Sequence, residues 1–292
     1  MKSKALMYLT LFFGVFCLSG SAIFVRLSAA PSGITAFYRL LFTALMLLPA
    51  LVFHKGNREA MRAIRKDQFA KIIAAGFLLA VHYVMWFESL RYTSVASSTV
   101  LVTLQPLFSI IWGRLFLGER YTKTALLGCA IAIAGAISIG WGDFRVSGAA
   151  LIGDILAFAA GAVMSGYFFL GQKTRAEVPV VPYSVTAFLA SSVFLAIYSL
   201  LSGFEFSGYG TTTWLALLGL AFFSTICGQF LFNVLLKWLP ATFITMSILG
   251  ESVGTCILAY LILKEAISLR QAIGIVVILG GLLIFFRNQK KT

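Results

Sequence analysis

The chain has 292 residues, of which 60% are apolar and 11% are charged, and its formal net charge is +13. Ordinary soluble domains carry about 25% charged residues, so this composition excludes that class. Apolar runs long enough to cross about 30 Å of hydrocarbon recur along the whole chain. Because these runs are apolar at alternate and intervening positions alike, they favour helices over a transmembrane barrel. The sequence predicts an all-α polytopic membrane protein.

We predict ten transmembrane helices joined by short connections, all in one membrane domain covering residues 1–292. The first apolar run follows Lys2 and Lys4, as a signal peptide would. It is too long for a signal sequence and has no clear cleavage site, so we interpret it as a retained helix. The predicted spans, numbered 1 to 10, are 5–25, 34–53, 70–90, 95–117, 123–141, 149–171, 182–202, 213–236, 241–263 and 269–286.

The second half of the chain repeats the first at an offset of 146 residues. The matching pairs include Leu90 and Leu236, Thr99 and Thr245, Leu117 and Leu263, Glu119 and Glu265, Gly128 and Gly274, and Gly135 and Gly281. We therefore predict repeat 1 at about 1–146 and repeat 2 at about 147–292. Five spans per repeat is an odd number, so the second copy enters the membrane inverted. Inverted five-helix repeats (5+5) are typical of secondary transporters, whose binding sites lie between the halves near the middle of the membrane.

The distribution of lysine and arginine predicts the orientation. With the N-terminus inside, the inner segments hold 17 of the 23 basic residues and the outer segments hold 5, with Arg39 inside a span. This excess predicts that both termini are cytoplasmic. The basic residues are spread over several loops, so we expect membrane lipid and no nucleic acid as partner. The charged stretch 54–69 is predicted to be an inner loop with a short amphipathic helix.

Several short motifs resemble the EamA branch of the drug/metabolite transporter (DMT) superfamily. They are the Tyr92–Ala96 turn, the Gln105-Pro106 break, the Leu117-Gly118-Glu119 exit, the Phe37–Leu41 opening of span 2, and Gly153-Asp154. The second repeat departs from this pattern, since Ser252 replaces the proline and Lys264 the glycine. The resemblance implies a proton- or gradient-coupled exporter of small metabolites, often amino acids, with a cavity lined mainly by spans 1, 3, 4, 6, 8 and 9.

Polar side chains within the spans are the candidates for lining that cavity, because polar groups in hydrocarbon face protein or water. Thr225, Gln229 and Asn233 recur every four residues on one face of span 8. We predict that the cavity or substrate site includes Ser21, Arg39, His82, Tyr83, Trp86, Gln105, Ser165, Gln229, Asn233, Thr245 and Glu251. Small hydroxyls also serve helix packing alone, and a histidine within an aromatic helix can be simply packed.

Glu251 and His82 are the candidates for proton coupling. Glu251 sits near the middle of span 9, where low dielectric favours its protonated form, and histidine titrates near physiological pH. The alternative for Glu251 is a hydrogen bond that only ties span 9 to a neighbour. Arg39 could meet a substrate carboxylate, but the favoured interpretation is that it reaches to the outer surface or pairs with a nearby carboxylate.

The remaining charged residues near the span ends are predicted to be structural. We expect Glu88 to pair with Arg91, and Asp154 to complement the positive end of span 6 from its first turn. Glu119 and Glu265 are expected to cap the helices that follow them.

Spans 5 and 10 are rich in small residues, which predicts close-packed helices, either at the periphery or at a homodimer contact. The protein is accordingly predicted to be a monomer or a homodimer through these spans.

We predict no cofactor, no metal and no enzyme, since neither nucleotide-binding loops nor metal-like spacings occur. The favoured function is export of amino acids or related compounds. The alternatives are a proton-driven multidrug exporter of lipophilic cations, and a non-transporting membrane enzyme or scaffold.

Overall fold

The computed structural model describes residues 4–140, 148–264 and 267–288. Within them, nine helical segments of 20 to 27 residues are long and apolar enough to cross a membrane. A shorter apolar helix, Lys123–Gly140, lies at predicted span 5. The protein is thus an all-helical, multi-pass membrane protein over the residues described.

Six of the predicted spans are single helices. Spans 2, 3, 5, 6, 7 and 10 are Ser32–Phe53, Lys66–Tyr92, Lys123–Gly140, Ala149–Arg175, Val180–Leu201 and Leu269–Asn288. The predicted amphipathic helix of the charged stretch is Lys55–Arg62, which has no buried residue.

The other four spans are divided along their length. Span 1 consists of Lys4–Ser19 and Ser21–Leu27, and span 4 of Val95–Val102 and Gln105–Phe116. Span 8 runs as Thr211–Gly219, a π-helical segment Leu220–Phe230, and Leu231–Leu235. Span 9 consists of Ala241–Ile248, Glu251–Leu258 and a π-helical segment Ala259–Leu263.

The breaks of spans 4 and 9 fall at the same place in the repeat, since Thr103-Leu104 plus 146 is Leu249-Gly250. In span 4, Pro106 has no N–H and its ring clashes with the preceding turn, which ends the helix there. In span 9 no proline is present, but Gly250 has a low helix propensity. Both breaks are tightened by bonds to the third residue back, at 3.2 Å for Leu104 and 2.9 Å for Gly250.

Spans 5 and 10 pack against each other through glycines. A Cβ added at Gly281 would lie 2.4 Å from the Ala132 nitrogen, and one at Gly135 would lie 2.7 Å from the Ile278 nitrogen. These small-residue faces therefore serve a contact within the chain. A homodimer through the same spans would use their outer faces, where Val276 is 69% exposed and Leu127 is 57% exposed.

Candidate functional site

A small central cavity lies where the breaks of spans 4 and 9 meet. The Thr103 and Ser252 hydroxyls, one on each broken helix, are 3.2 Å apart. The cavity volume is about 20 Å³, room for about one water molecule. Its lining residues are Leu18, His82, Tyr83, Trp86, Val102, Gln105, Met164, Gln229, Ile248 and Glu251.

The lining of this cavity follows the repeat. Eight of its ten residues form four pairs that are 146 positions apart: Leu18 and Met164, Tyr83 and Gln229, Val102 and Ile248, and Gln105 and Glu251. His82 and Trp86 are the remaining two. Equivalent positions of the two halves therefore enclose one space, and in two of the four pairs, Tyr83 with Gln229 and Gln105 with Glu251, both halves contribute a polar side chain.

Several polar atoms that line the cavity have no hydrogen-bond partner of good geometry. They are Trp86 Nε1, Gln105 Oε1, and both amide atoms of Gln229. The Tyr167 hydroxyl is within interaction range of Gln229 without such a bond. Because an unpaired buried polar group costs about 1–3 kcal/mol, a cluster of them in one cavity indicates a place for a polar ligand.

His82 is held by the backbone of span 6. Its Nδ1 lies 2.9 Å from the Ala160 carbonyl oxygen, and since a carbonyl only accepts, Nδ1 carries the hydrogen. Its ring stacks on Trp86 with centroids 5.9 Å apart and meets Tyr83 edge-on at 4.9 Å. The three rings form the aromatic wall of the cavity.

Arg39 is buried, so the expectation that it reaches the outer surface is wrong. The expected carboxylate partner is not in direct contact, since no salt bridge within the described residues involves Arg39, but Glu251 is near enough to interact with it electrostatically. The exposure of Arg39 is 0%. Its Nε donates to Thr225 Oγ1 at 2.8 Å and its Nη1 donates to Ser21 Oγ at 2.7 Å. These hydroxyls of spans 8 and 1 replace hydrogen bonds that water would otherwise make with the guanidinium. The Tyr83 ring, whose centroid is 4.4 Å from the guanidinium carbon, adds a cation–π contact. The Thr225 hydroxyl also donates to the Leu220 carbonyl, five residues back, within the π-helical segment.

Three other predicted site residues lie in helix contacts away from the cavity lining. Ser165 is 2.9 Å from the Ser109 hydroxyl, and Thr245 donates to the Thr242 carbonyl at 3.1 Å. Asn233 accepts from the Tyr167 hydroxyl at 2.9 Å and donates to Ser184 at 3.2 Å. The structure thus brings six predicted residues together at the cavity and sets Arg39 and Ser21 behind Tyr83.

A larger vestibule of about 420 Å³ opens at the end of the bundle predicted to face outward. It is lined by Val25, Arg26, Ser28, Ala29, Ala30, Pro31, Ser32, Thr35, Phe87, Leu90, Arg91 and Phe204. Glu88 beside it accepts a hydrogen bond from Ser32 and pairs with Arg91 at 3.4 Å, which confirms the predicted pairing of Glu88 and Arg91.

At the opposite end, a polar cluster joins the two halves. The Glu119 carboxylate accepts from Tyr121, from Thr242 at 3.0 Å and from Gln172 at 3.3 Å. Gln172 in turn accepts from the Ala241 backbone N–H at 2.6 Å. Burial, followed by the bond to Glu119, holds the pKa of Tyr121 above its ordinary value, so the phenol stays a donor. This cluster links the two halves at the end of the bundle that lies away from the vestibule.

Two predicted structural roles need correction. Thr122, rather than Glu119, caps the helix of span 5, because its hydroxyl accepts from the Ala125 N–H at 3.0 Å. Asp154 lies in the second turn of Ala149–Arg175. It accepts from Thr93 at 2.8 Å and Ser97 at 2.7 Å, and so ties the turn between spans 3 and 4 to span 6. Glu265 lies outside the described residues.

Sequence reasoning missed the Glu119 cluster and the apolar lining residues Leu18, Val102, Met164 and Ile248. These four apolar residues are repeat partners of each other, Leu18 of Met164 and Val102 of Ile248, and none is the partner of a predicted site residue, so the offset of 146 alone does not single them out. Among the residues the structure describes, no group of three or more His, Cys, Asp or Glu side chains could hold a metal ion.

Comparison with known proteins also indicates a membrane transporter. The EamA-like transporter family matches residues 5–141 and 151–287. An uncharacterized transporter of Archaeoglobus fulgidus is 25% identical over 93% of this chain and 94% of its own length. A riboflavin transporter of Brucella anthropi is 28% identical over 54% of this chain and 52% of its own. A probable terminal-alkyne amino-acid exporter of Streptantibioticus cattleyicolor is 28% identical over 44% of this chain and 43% of its own.

One solved crystal structure has the same fold, with a TM-score of 0.82 at 17% identity over 99% of this chain and 100% of that one. The family matches begin at residues 5 and 151, which are 146 apart, and they cover nearly all of the sequence. The relatives are named as transporters rather than enzymes. The chain belongs to the EamA-like transporter family.

Proposed function

We propose that the protein is a secondary active exporter built from ten transmembrane helices in two inverted repeats of five, and that it works by alternating access. The observation that carries this proposal is the central cavity, whose lining consists mostly of repeat-related pairs. Two similar halves of opposite orientation can exchange conformations, and the exchange moves the opening of a shared cavity from one side to the other. The small cavity, the vestibule at one end and the Glu119 cluster at the other fit a carrier in a state that is wider toward the vestibule.

The orientation in this proposal follows the basic residues. Both termini are cytoplasmic and the membrane is the cytoplasmic membrane, because 17 of 23 basic residues then lie inside. The vestibule is then extracellular and the Glu119 cluster cytoplasmic. The protein works as a monomer or as a homodimer through the outer faces of spans 5 and 10.

The proposed substrates are small amphipathic metabolites, with amino acids first. Aromatic rings of Tyr83, Trp86 and His82 cover an apolar part, while the amides of Gln105 and Gln229 and the carboxyl of Glu251 meet polar ends. The exporter from Streptantibioticus is named for an amino acid and the Brucella relative for riboflavin, and both are small molecules with apolar and polar parts. Among the cavity-lining residues, Glu251 is the one carboxyl group, so it is the proposed site of proton coupling, with His82 as second candidate.

The test is transport by the purified full chain in proteoliposomes. Radiolabelled amino acids and riboflavin are offered with and without a pH gradient, and Glu251→Gln is compared with wild type. We expect gradient-driven transport of at least one compound, lost in Glu251→Gln, while exchange without a gradient survives. The control is Glu59→Gln, a carboxylate on the exposed helix Lys55–Arg62. Full gradient-driven transport by Glu251→Gln would contradict the coupling role.

The second candidate is export of lipophilic organic cations in exchange for protons. It is favoured by one observation, that a carboxyl group and three aromatic rings share the cavity, since aromatic faces attract cations. Competition decides between the two: inhibition by zwitterionic amino acids supports the first function, and inhibition by quaternary amines supports the second.

A further inference from the structure

We propose that Arg39 recognises the carboxylate of the transported molecule as it passes between the central cavity and the vestibule, which makes the substrates small zwitterions or acids rather than amines without a carboxylate. This inference rests on the proposed transport function and names the substrate class of the same path.

Arg39 lies in the layer that separates the two spaces. Tyr83 lines the cavity and Phe87, one helical turn further along span 3, lines the vestibule. The guanidinium carbon is 4.4 Å from the Tyr83 ring centroid and 6.0 Å from the Phe87 centroid. On span 2, Thr35 lies one turn before Arg39 and also lines the vestibule. A molecule that moves between the spaces therefore crosses the layer formed by Arg39, Tyr83 and Phe87.

The guanidinium has binding capacity that the protein leaves unused. Its Nε and Nη1 are bonded to Thr225 and Ser21. The Tyr83 hydroxyl is within interaction range of the guanidinium, but Nη2 is buried and has no hydrogen-bond acceptor of good geometry. Within the described part of the chain, no carboxylate forms an ion pair with Arg39. A buried cation with no carboxylate in direct contact is costly in a membrane and marks a functional position. The planar guanidinium fork matches a carboxylate in geometry as well as in charge.

The charges along the path suit a zwitterion. Glu251 lines the cavity together with Tyr83, and it interacts electrostatically with Arg39. A molecule carrying both an ammonium group and a carboxylate can place the first near Glu251 and the second near Arg39. A lipophilic amine without a carboxylate brings a second positive charge past Arg39 and has no anion to offer the guanidinium, so the arrangement disfavours its passage.

The experiment compares two competitors that differ only in this group. Counterflow of radiolabelled phenylalanine by the full chain in proteoliposomes is inhibited with unlabelled phenylalanine or with phenylalaninamide, which keeps the ring and the ammonium but lacks the carboxylate. Because hydrogen bonds to charged groups are strong, we expect the inhibitory concentration of phenylalanine in the wild type to be lower than that of phenylalaninamide by a factor of about ten or more. In Arg39→Gln the ratio of the two inhibitory concentrations falls to about one.

The matched control is Arg175→Gln, a second buried arginine, only 3% exposed, whose Nε donates to the Asn233 carbonyl at 2.9 Å, away from the cavity. This variant keeps the wild-type ratio. If Arg39→Gln does not fold, Arg39→Lys decides the matter, because it keeps the charge but loses the fork and so lowers the ratio. Equal inhibition by the two compounds in wild type, or an unchanged ratio in the Arg39 variants, overturns the role of Arg39 and leaves transport standing. Absence of any counterflow in wild type overturns amino-acid transport, and this inference with it.

Discussion

The packing of spans 5 and 10 can be tested with two adjacent glycines. A Cβ at Gly281 would lie 2.4 Å from the Ala132 nitrogen, 2.7 Å from the Gly128 oxygen and 2.8 Å from the Ala132 Cα. All three are backbone atoms, so no side chain can rotate away and the helices must separate. At Gly280, one residue earlier, an added Cβ has no other atom within 4 Å.

Comparing Gly280→Ala with Gly281→Ala isolates the free-energy cost of the clash between spans 5 and 10. Both substitutions to alanine gain the same helix propensity, roughly 0.5–1 kcal/mol. Overpacking a close contact costs typically about 1–3 kcal/mol. We therefore expect Gly281→Ala to unfold with a free energy about 1–3 kcal/mol lower than that of Gly280→Ala, while Gly280→Ala is as stable as wild type or more so.

The assay is unfolding of the detergent-purified protein, by denaturant titration and by heat, on wild type and both variants. Light scattering of the same samples gives their mass. If Gly281→Ala matched Gly280→Ala in stability, the close contact between spans 5 and 10 would be refuted. Loss of a dimer without loss of stability in Gly281→Ala would instead mean that the glycine face joins two chains.

Two further predictions concern the end of the bundle that is predicted to face the cytoplasm. Glu119→Ala leaves the donors of Tyr121, Gln172 and Thr242 unpaired. We therefore expect its free energy of unfolding, from denaturant titration, to be about 1–3 kcal/mol lower than that of the control Glu205→Ala in an exposed loop. Equal stability of the two variants would contradict the cluster. Hydrogen bonds from Arg65, then Gln68, hold the pKa of Glu177 below its ordinary value. The pairing therefore contributes fully to stability at a pH above the ordinary pKa of a glutamate, and this contribution is lost as the pH falls through the lowered pKa of Glu177. In Arg65→Gln the Glu177 titration midpoint, followed by carboxyl NMR, should rise, and an unmoved midpoint would show that the pair at 2.8 Å is not formed in solution.

The composition of the cavity could be predicted from the sequence because polar and aromatic side chains in hydrocarbon need a protein or aqueous neighbour. His82, Trp86, Gln105, Gln229 and Glu251 were found in this way. A helical face, however, does not say which neighbour it meets. Asn233 shares a face with Gln229, yet Tyr167 and Ser184 satisfy its amide.

Arg39 shows the limit of reasoning from one helix at a time. A lone arginine near a span end is expected to reach the surface, because its long side chain can carry the charge to water. Its partners Ser21 and Thr225 come from spans 1 and 8, and the distance of 186 residues between Arg39 and Thr225 hides the contact from any local pattern. The break of span 9 was equally hidden, since its repeat partner in span 4 carries the proline and Gly250 alone is a weak signal.

The central claim is that both halves enclose one substrate site at the cavity. Its most direct test measures the affinity of the transported compound for Gln105→Leu, from the first half, and Gln229→Leu, from the second, by ligand-induced thermal stabilisation of the purified protein. Ser165→Ala serves as the control, because Ser165 is buried against Ser109 outside the cavity lining. The account predicts that each leucine variant weakens binding by about tenfold, as expected for loss of a polar contact in a buried site, and that the control binds as wild type does. Unchanged binding by both leucine variants would contradict it.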